Sequence, residues 1–394
     1  MADKPEAIRG LLSAAAVRER AHEMLALALE GRIDGWRVDL AKLEDAADLT
    51  AQVTRENYPD LDIPFHARWR HFVAGEPVLP EEWPERGRAA FDLVILSVLL
   101  DAGTGPGWSY EDAVSGRRFA RSEGLAVASQ RMIESGALPT DAASLARLDA
   151  ETLAQGFQAG PGNPLAGIEG RAALLRRLGE QALARPDLFA SASDARPGGL
   201  FDLLAGPAKD GRLPAPAILE LMLEALGPIW AGRLTVGAVA LGDCWRHPAL
   251  RRDDASDGLV PLHKLSQWLS YSLIEPLQWS GIEVTDIDGL TGLAEYRNGG
   301  LFVDAGVLVP TDPAAWTAEH QVSDPFIVAW RAMTVTLLDR MAPLVRERLG
   351  VAEADFPLAR MLEGGTWAAG RRIAAERRAG GGPPFTILSD GTVF

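Results

Sequence analysis

The chain has 394 residues, is 47% apolar and carries a formal net charge of −15. With no run of lysine and arginine it lacks the basic patch that a polynucleotide or an anionic membrane surface demands, so neither is an expected partner. The lone cysteine, Cys244, excludes an intrachain disulfide, and the charged, amphipathic start MADKPEAIRGLLSAAAVRERAHEML does not read as a secretory signal, which points to a cytoplasmic protein.

Helical apolar spacing and good helix formers predict helices over 6–30, 36–56, 86–100, 121–135, 143–158, 168–184, 215–231, 261–275, 325–349 and 367–379. Strand signals are few. GIEVTDI from Gly281 alternates, and PFTILSDGTVF from Pro384 reads as a short hairpin around Asp390-Gly391. Proline and glycine cluster at 160–167 and 380–384, which read as loops, and no internal repeat is visible. The longest apolar run, Leu93 to Leu100, is interrupted by Ser97 and too short to span a bilayer. The expected fold is mainly α: one multi-helical domain over 1–394, with an N-terminal helical layer over 1–80, a catalytic core over 86–394 and small β additions.

Polar clusters interrupt this pattern. Asp101 closes the apolar LVILSVLL helix and precedes Gly103, Gly105, Gly107, Trp108 and Tyr110. A glycine-rich loop lets backbone N–H groups approach a ligand, and Trp and Tyr can stack on a sugar or base. The spacing is that of neither a Walker nor a Rossmann loop, and a helix C-cap with aromatic packing reads equally well. Arg121-Ser122-Glu123-Gly124 reads as a helix start with Ser122 as N-cap. Asp243 and His247 stand at i, i+4 and His66 and His71 at i, i+5, but neither HExxH nor a Cys/His zinc spacing occurs, so no metal is expected. No Gly-x-Ser-x-Gly elbow is present either. Arg196-Pro197-Gly198-Gly199, and Gly364-Gly365-Thr366-Trp367 with Arg371 one turn on, are candidate phosphate cradles that read equally as plain turns or helix starts.

The segment from Gly258 to Val309 is the most informative. Leu262, Leu265, Leu269 and Leu273, with Trp268 beside them, form the inward stripe of a helix that Pro261 can open and Pro276 can close. Lys264, Gln267 and Tyr271 share another face of it. Lysine is scarce, four against thirty-five arginines, and Lys264 reads either as a solvated helix charge or as a functional one. Asp286, Asp288 and Gly289 follow, then Glu295-Tyr296-Arg297-Asn298-Gly299-Gly300, where Asp-Gly and Asn-Gly signal turns. Glu295 and Arg297 lie between apolar runs, and buried charges must be paired or functional.

This segment resembles an uncharacterised uracil-catabolism family, the one that holds the fourth protein of the yeast uracil-catabolism pathway. The same resemblance is carried by LLDAGTGPGWSYED from Leu99, RFARSEGLAVAS from Arg118, ARPGGLFDLL from Ala195, LGDCW from Leu241, LEGGTWAAGR from Leu362 and the ending SDGTVF. A second likeness is more distant. LHKLSQWLSYSL and LTGLAEYRNGGLFVDAGVLV are similar to a helix and loop of the queuosine-nucleotide salvage glycosylases, helical N-glycosidases whose loop carries Asp-Tyr-Arg where this chain has Glu295-Tyr296-Arg297. Asn298-Gly299-Gly300 departs from their Val-Pro-Gln run.

The resemblances imply a helical, glycosylase-like fold and a hydrolase that cuts the ribosyl–nitrogen bond of a ribosylurea-type or related intermediate of pyrimidine breakdown. Such bonds break through an oxocarbenium-like transition state that one carboxylate stabilises while another activates water. On this reading Glu295 and Asp288 are the catalytic carboxylates. Lys264 or Arg297 holds sugar hydroxyls or a phosphate, and Trp108 and Tyr110 wall the pocket. Asp101, Glu123, Gln267, Tyr271, Asn298 and Trp367 complete the expected binding set. The substrate is a small ribosyl compound, phosphorylated or not, and no cofactor is required. A metal-assisted ureido hydrolase and a non-catalytic nucleotide-binding protein stand as alternatives, and the oligomeric state is open.

Overall fold

A computed structural model of the protein describes residues 5–101, 103–105, 107–190 and 194–388. The apolar periodicity is realised as helices at Ala14–Leu29, Leu43–Asn57, Glu85–Leu99, Arg121–Glu134, Ile168–Ala184, Ala215–Leu226, Lys264–Trp279, Tyr296–Asp304, Pro325–Leu349 and Trp367–Arg377. The fold is mainly α, and among the described residues every sheet is a short two-stranded pair. No helix there is long and apolar enough to cross a membrane.

The helix Pro325–Leu349 forms the spine. Ile327, Val328, Trp330, Met333, Leu337, Leu338 and Met341 are all buried along it, and Ala14–Leu29, Leu43–Asn57 and Tyr296–Asp304 pack against it. Glu85–Leu99 is buried along most of its length, Val94 to Leu96 completely, and carries Arg121–Glu134 and Lys264–Trp279 at its sides. Apolar residues on every face of a helix are what a central position requires.

Several expected boundaries differ. The first helix breaks at Gly10–Ser13, where the Ser13 hydroxyl accepts the Ala16 N–H at 3.2 Å as a new cap. Trp36–Val38 is a strand paired antiparallel with Leu308–Pro310 rather than a helix start, because the Trp36 ring stacks on Phe326 at 4.3 Å. The 143–158 prediction divides where Asp149 caps Ala150–Gly156. Pro261 ends a strand paired with Cys244–Arg246, so the next helix begins only at Lys264, and that helix runs through Pro276 to Trp279. Gly281's strand forms as Glu283–Thr285, parallel to Arg212–Pro214. Thr386–Leu388 pairs in parallel with Glu319–Gln321, and the hairpin expected around Asp390-Gly391 lies outside the described residues.

The largest difference is at Asn298-Gly299-Gly300, which reads as a turn and is the first stretch of the helix Tyr296–Asp304. The glycine there serves close approach. A β-carbon on Gly299 would sit 2.8 Å from the Trp330 ring and 2.9 Å from the Thr334 hydroxyl, a separation that only a residue without a side chain permits.

Candidate functional site

The helix starts at Lys264, Arg121 and Trp367, the loop after Leu99 and the segment around His66 converge on one cavity of about 340 Å³. That volume suits a small molecule. Of the expected site residues, Asp101, Glu123, Lys264, Glu295, Arg297 and Trp367 line it.

Glu295 is the N-cap of Tyr296–Asp304. Its carboxylate accepts the Arg297 N–H at 2.7 Å and the Asn298 N–H at 2.6 Å. Two donors and the positive end of the helix fix one acidic group in one orientation. The side chain of Asn298 completes the turn by donating to the Leu293 carbonyl at 3.2 Å. Burial pushes the Glu295 carboxyl up from its ordinary value, against the pull of Lys264 and the two N–H donors. Burial likewise lowers Lys264, opposed by Glu295 and Asp101.

Lys264 is held from below. Its backbone N–H donates to Asp243 at 2.9 Å, and Asp243 is gripped by both guanidinium ends of Arg331 at 2.8 Å and by the Trp245 indole at 2.6 Å. Although burial alone would raise it, these partners hold the Asp243 carboxyl well below the usual range. Asp243 therefore anchors the helix that presents Lys264, and Arg331 occupies it fully. The Lys264 ammonium lies 5.9 Å from the Trp268 ring centroid, within cation–π range. It forms no ion pair among the described residues.

Trp268 is the aromatic floor. Arg68 lies 5.7 Å above its ring centroid, and the rings of His71 and His66 sit 5.7 and 6.2 Å away. Arg68 is fully buried, donates to Ser97 and Ser122, and pairs with Asp101 at 3.2 Å. Burial, and after it the charge of Arg68, lowers His71 to about 4, so that ring is neutral at pH 7. His66 donates or accepts through Nδ1 to Glu363 at 2.7 Å. Burial would raise Glu363, yet the hydrogen bond and charge of His66, with Arg70, keep it below its ordinary value.

Three arginines reach the cavity: Arg121, Arg297 and Arg371. None pairs with a carboxylate among the described residues. Arg297 donates to the Gly381 carbonyl at 2.7 Å, and Arg371 lies 4.8 Å over the Trp367 ring. Arg121 opens its helix with φ of 55°, a left-handed conformation that a residue with a side chain rarely adopts and that clusters at binding sites.

Other expected site residues fall elsewhere. Asp288 does not line the cavity: its carboxylate accepts from Arg346 at 2.7 Å and from the Leu358 N–H at 2.6 Å, tying its loop to the spine. Gln267 accepts the Thr291 N–H at 3.2 Å and Tyr271 donates to the Thr291 carbonyl at 3.0 Å, so both clamp the chain leading to Glu295 from inside the core. Trp108 is buried with its indole N–H on the Phe157 carbonyl at 3.0 Å, and Tyr110 is buried in the strand Ser109–Asp112. Ser122 does not cap its helix but donates to Asp101 at 2.8 Å. Arg196 pairs with Asp92 and Glu85 rather than offering an anion cradle. Gly364 and Gly365 let their turn press on Ile63, Thr50 and Thr54. Asp304 is held by both guanidinium ends of Arg378 at 2.6 Å. His247 takes the Ala249 N–H on Nδ1 at 3.2 Å. No group of three or more metal-ligating side chains occurs among the described residues.

Sequence reasoning passes over His66, His71, Trp268 and Arg121 as site residues. For the two histidines the signal present is the segment PFHARWRHF, which holds two of the chain's six histidines with two arginines and a tryptophan.

Comparison with known proteins matches the chain that builds this site to relatives over nearly its whole length. The profile described as "Protein of unknown function (DUF1688)" matches residues 10–394, which include every residue lining the cavity. Protein urg3 of Schizosaccharomyces pombe is 38% identical over 417 aligned positions, covering 99% of each chain. Uracil catabolism protein 4 of Lachancea kluyveri is 37% identical, covering 93% of each. With full-length coverage at that identity, the chain belongs to the DUF1688 family.

Proposed function

We propose that this protein hydrolyses the bond between a ribosyl anomeric carbon and a nitrogen during uracil breakdown. The name of the Lachancea kluyveri relative supports the pathway. The chemistry rests on one observation: a carboxylate fixed by two backbone N–H groups, Glu295, opens into the same cavity as Lys264, an ammonium with no ion pair among the described residues. A preorganised negative charge in a site of low dielectric stabilises an oxocarbenium-like transition state far better than it would in water.

In this reading Glu295 faces the anomeric carbon and Lys264 holds ribosyl hydroxyls. Arg121, Arg297 and Arg371 take a phosphate, since arginine forks without a carboxylate partner suit that group. Asp288, tied to Arg346 and outside the cavity, takes no part. The carboxylates that share the cavity with Glu295 are Asp101 and Glu123.

The test is incubation with the ring-opened ureido derivative of uridine monophosphate, followed by mass spectrometry. Free urea and ribose phosphate are expected. Release of ammonia with the ribosyl bond intact would transfer the protein to the ureido hydrolases, and tight binding without turnover would make it a binding protein.

A further inference from the structure

The cavity wall beside Trp268 holds a second device that the glycosidic reading leaves unused. His66 lines the cavity, and Glu363, which does not, lies behind it with Oε2 at 2.7 Å from Nδ1. The Tyr58 hydroxyl reaches the other Glu363 oxygen at 3.4 Å. A carboxylate on Nδ1 assigns the proton of that nitrogen and leaves Nε2 for the substrate side. Nε2 has no partner among the described residues, and it is not sealed into the core.

The backbone behind the pair is unusual. Glu363 sits in a single π-helical turn, Leu362–Thr366, inserted between Leu358–Met361 and Trp367–Arg377. Such turns are rare and recur at functional sites. Here the turn rests against the helix Leu43–Asn57, where a β-carbon at Gly365 would lie 2.4 Å from the Thr54 hydroxyl. The inserted residue thus aims one carboxylate at His66 while Trp367 and Arg371, on the same helix, still reach the cavity.

Glu363 holds Nδ1 of His66, and Glu295 lines the same cavity as the ring. Two arginines near the ring are paired with carboxylates, Arg70 with Glu275 at 2.6 Å and Arg68 with Asp101 at 3.2 Å.

Resting on the glycosidic reading, we propose that His66 is the general acid that protonates the departing nitrogen, and that Glu363 is its positioning residue. The ribosyl–nitrogen electron pair moves onto the nitrogen as that nitrogen takes the Nε2 proton of His66. Water adds its oxygen to the anomeric carbon, and Glu295 takes the proton that water loses. Exchange with solvent returns the proton from Glu295 and restores His66. A ureido nitrogen is a poor leaving group unless protonated, so this substrate class is the one that needs such a residue.

The experiment compares two 5-phosphorylated probes, N-ribosylurea and p-nitrophenyl ribofuranoside, with wild type, His66→Gln, Glu363→Gln and Glu295→Gln. Nitrophenolate leaves without a proton. His66→Gln is expected to fall at least ~100-fold on the ureide and less than ~10-fold on the nitrophenyl probe, with Glu363→Gln showing the same split more weakly. Glu295→Gln is expected to fall on both. Equal losses on both probes in His66→Gln and Glu363→Gln, or an undiminished rate on the ureide, would overturn the general-acid role while leaving the glycosidic reading standing. Wild-type protein that cleaves neither probe overturns the glycosidic reading and the role with it. Unfolding midpoints of the variants separate a chemical loss from a folding loss, and Glu363→Gln carries the comparison if His66→Gln does not fold.

Discussion

Gly370 lies so close to Arg297 that a β-carbon on the glycine would stand 2.3 Å from the Arg297 carbonyl oxygen. The helix that brings Trp367 and Arg371 to the cavity is thereby seated on the first turn of the helix that Glu295 caps. Two sides of the site are referenced to each other by backbone contact, with no long side chain between them to flex.

Gly370→Ala is expected to push these helices apart. Overpacking of this kind typically costs ~1–3 kcal/mol, and a displacement of a few tenths of an ångström is felt by a preorganised site. Turnover is expected to fall more than the unfolding midpoint suggests. Wild-type values of both would show that the contact positions nothing.

Glu295→Gln keeps the shape of the side chain and one acceptor oxygen for the helix turn. Loss of the cap's charge is expected to lower stability by about 1 kcal/mol. Turnover is expected to fall by ~100-fold or more, the scale seen when one transition-state electrostatic contact is removed. Steady-state kinetics and thermal unfolding on one preparation check both halves.

Lys264→Met separates stability from function. A half-buried ammonium with no ion pair among the described residues is a burden that an apolar side chain of similar length relieves. The variant is expected to melt at or above the wild-type temperature while losing turnover. A stability loss with intact turnover would place Lys264 in the structure and remove it from the site.

Arg297→Ala and Arg371→Ala test the anion assignment. Each is expected to raise KM for a 5-phosphorylated ribosyl substrate by ~10-fold or more, as loss of a charge-assisted hydrogen bond does, and to leave KM for the unphosphorylated compound nearly unchanged. Equal effects on both compounds would remove the phosphate from the reading.

His247 sets an acid limit on stability. Burial, partly opposed by Asp34, lowers its pKa from 6.5 to about 4. Its Nδ1 accepts a backbone N–H, which an imidazolium cannot do. A depressed folded pKa contributes stability that is present above the unfolded value of 6.5 and is lost as pH falls through about 4. At ~1.4 kcal/mol for each tenfold difference in proton affinity between the folded and unfolded chain, ~1–3 kcal/mol is expected to disappear across that window. His247→Asn, which supplies a neutral acceptor, is expected to flatten the slope. His71, lowered for the same reason, contributes in the same direction, so some slope remains. Denaturant titrations at pH 7, 5.5 and 4.5 read the difference.

The helices are legible wherever apolar spacing runs unbroken, as at Pro325–Leu349 and Glu85–Leu99. The misreadings share a cause: a residue chosen for a tertiary contact imitates a local signal. Asn298-Gly299 looks like a turn and is a helix whose glycine admits Trp330. Trp36 fits a helix and forms a strand because Phe326 stacks on it. For the site, Lys264 and Glu295 stand out as charges inside apolar runs. Asp288 stands out equally, but its partner Arg346 is fifty-eight residues away, and sequence carries no sign of that bond. His66 stands out only as half of a histidine pair with His71, and its bond to Glu363 is hidden because that residue lies almost three hundred positions further on.

The cavity takes its wall from His66, Asp101, Arg121, Lys264, Glu295 and Arg371, spread over most of the chain. A ribosome releases these groups in order, and the spine Pro325–Leu349, against which the early helices pack, emerges late. Early helices therefore wait with apolar faces uncovered, the condition in which nascent chains engage chaperones. A prematurely terminated product ending before Leu362 has neither the turn behind His66 nor the surface opposite Arg297, and so lacks one wall of the cavity.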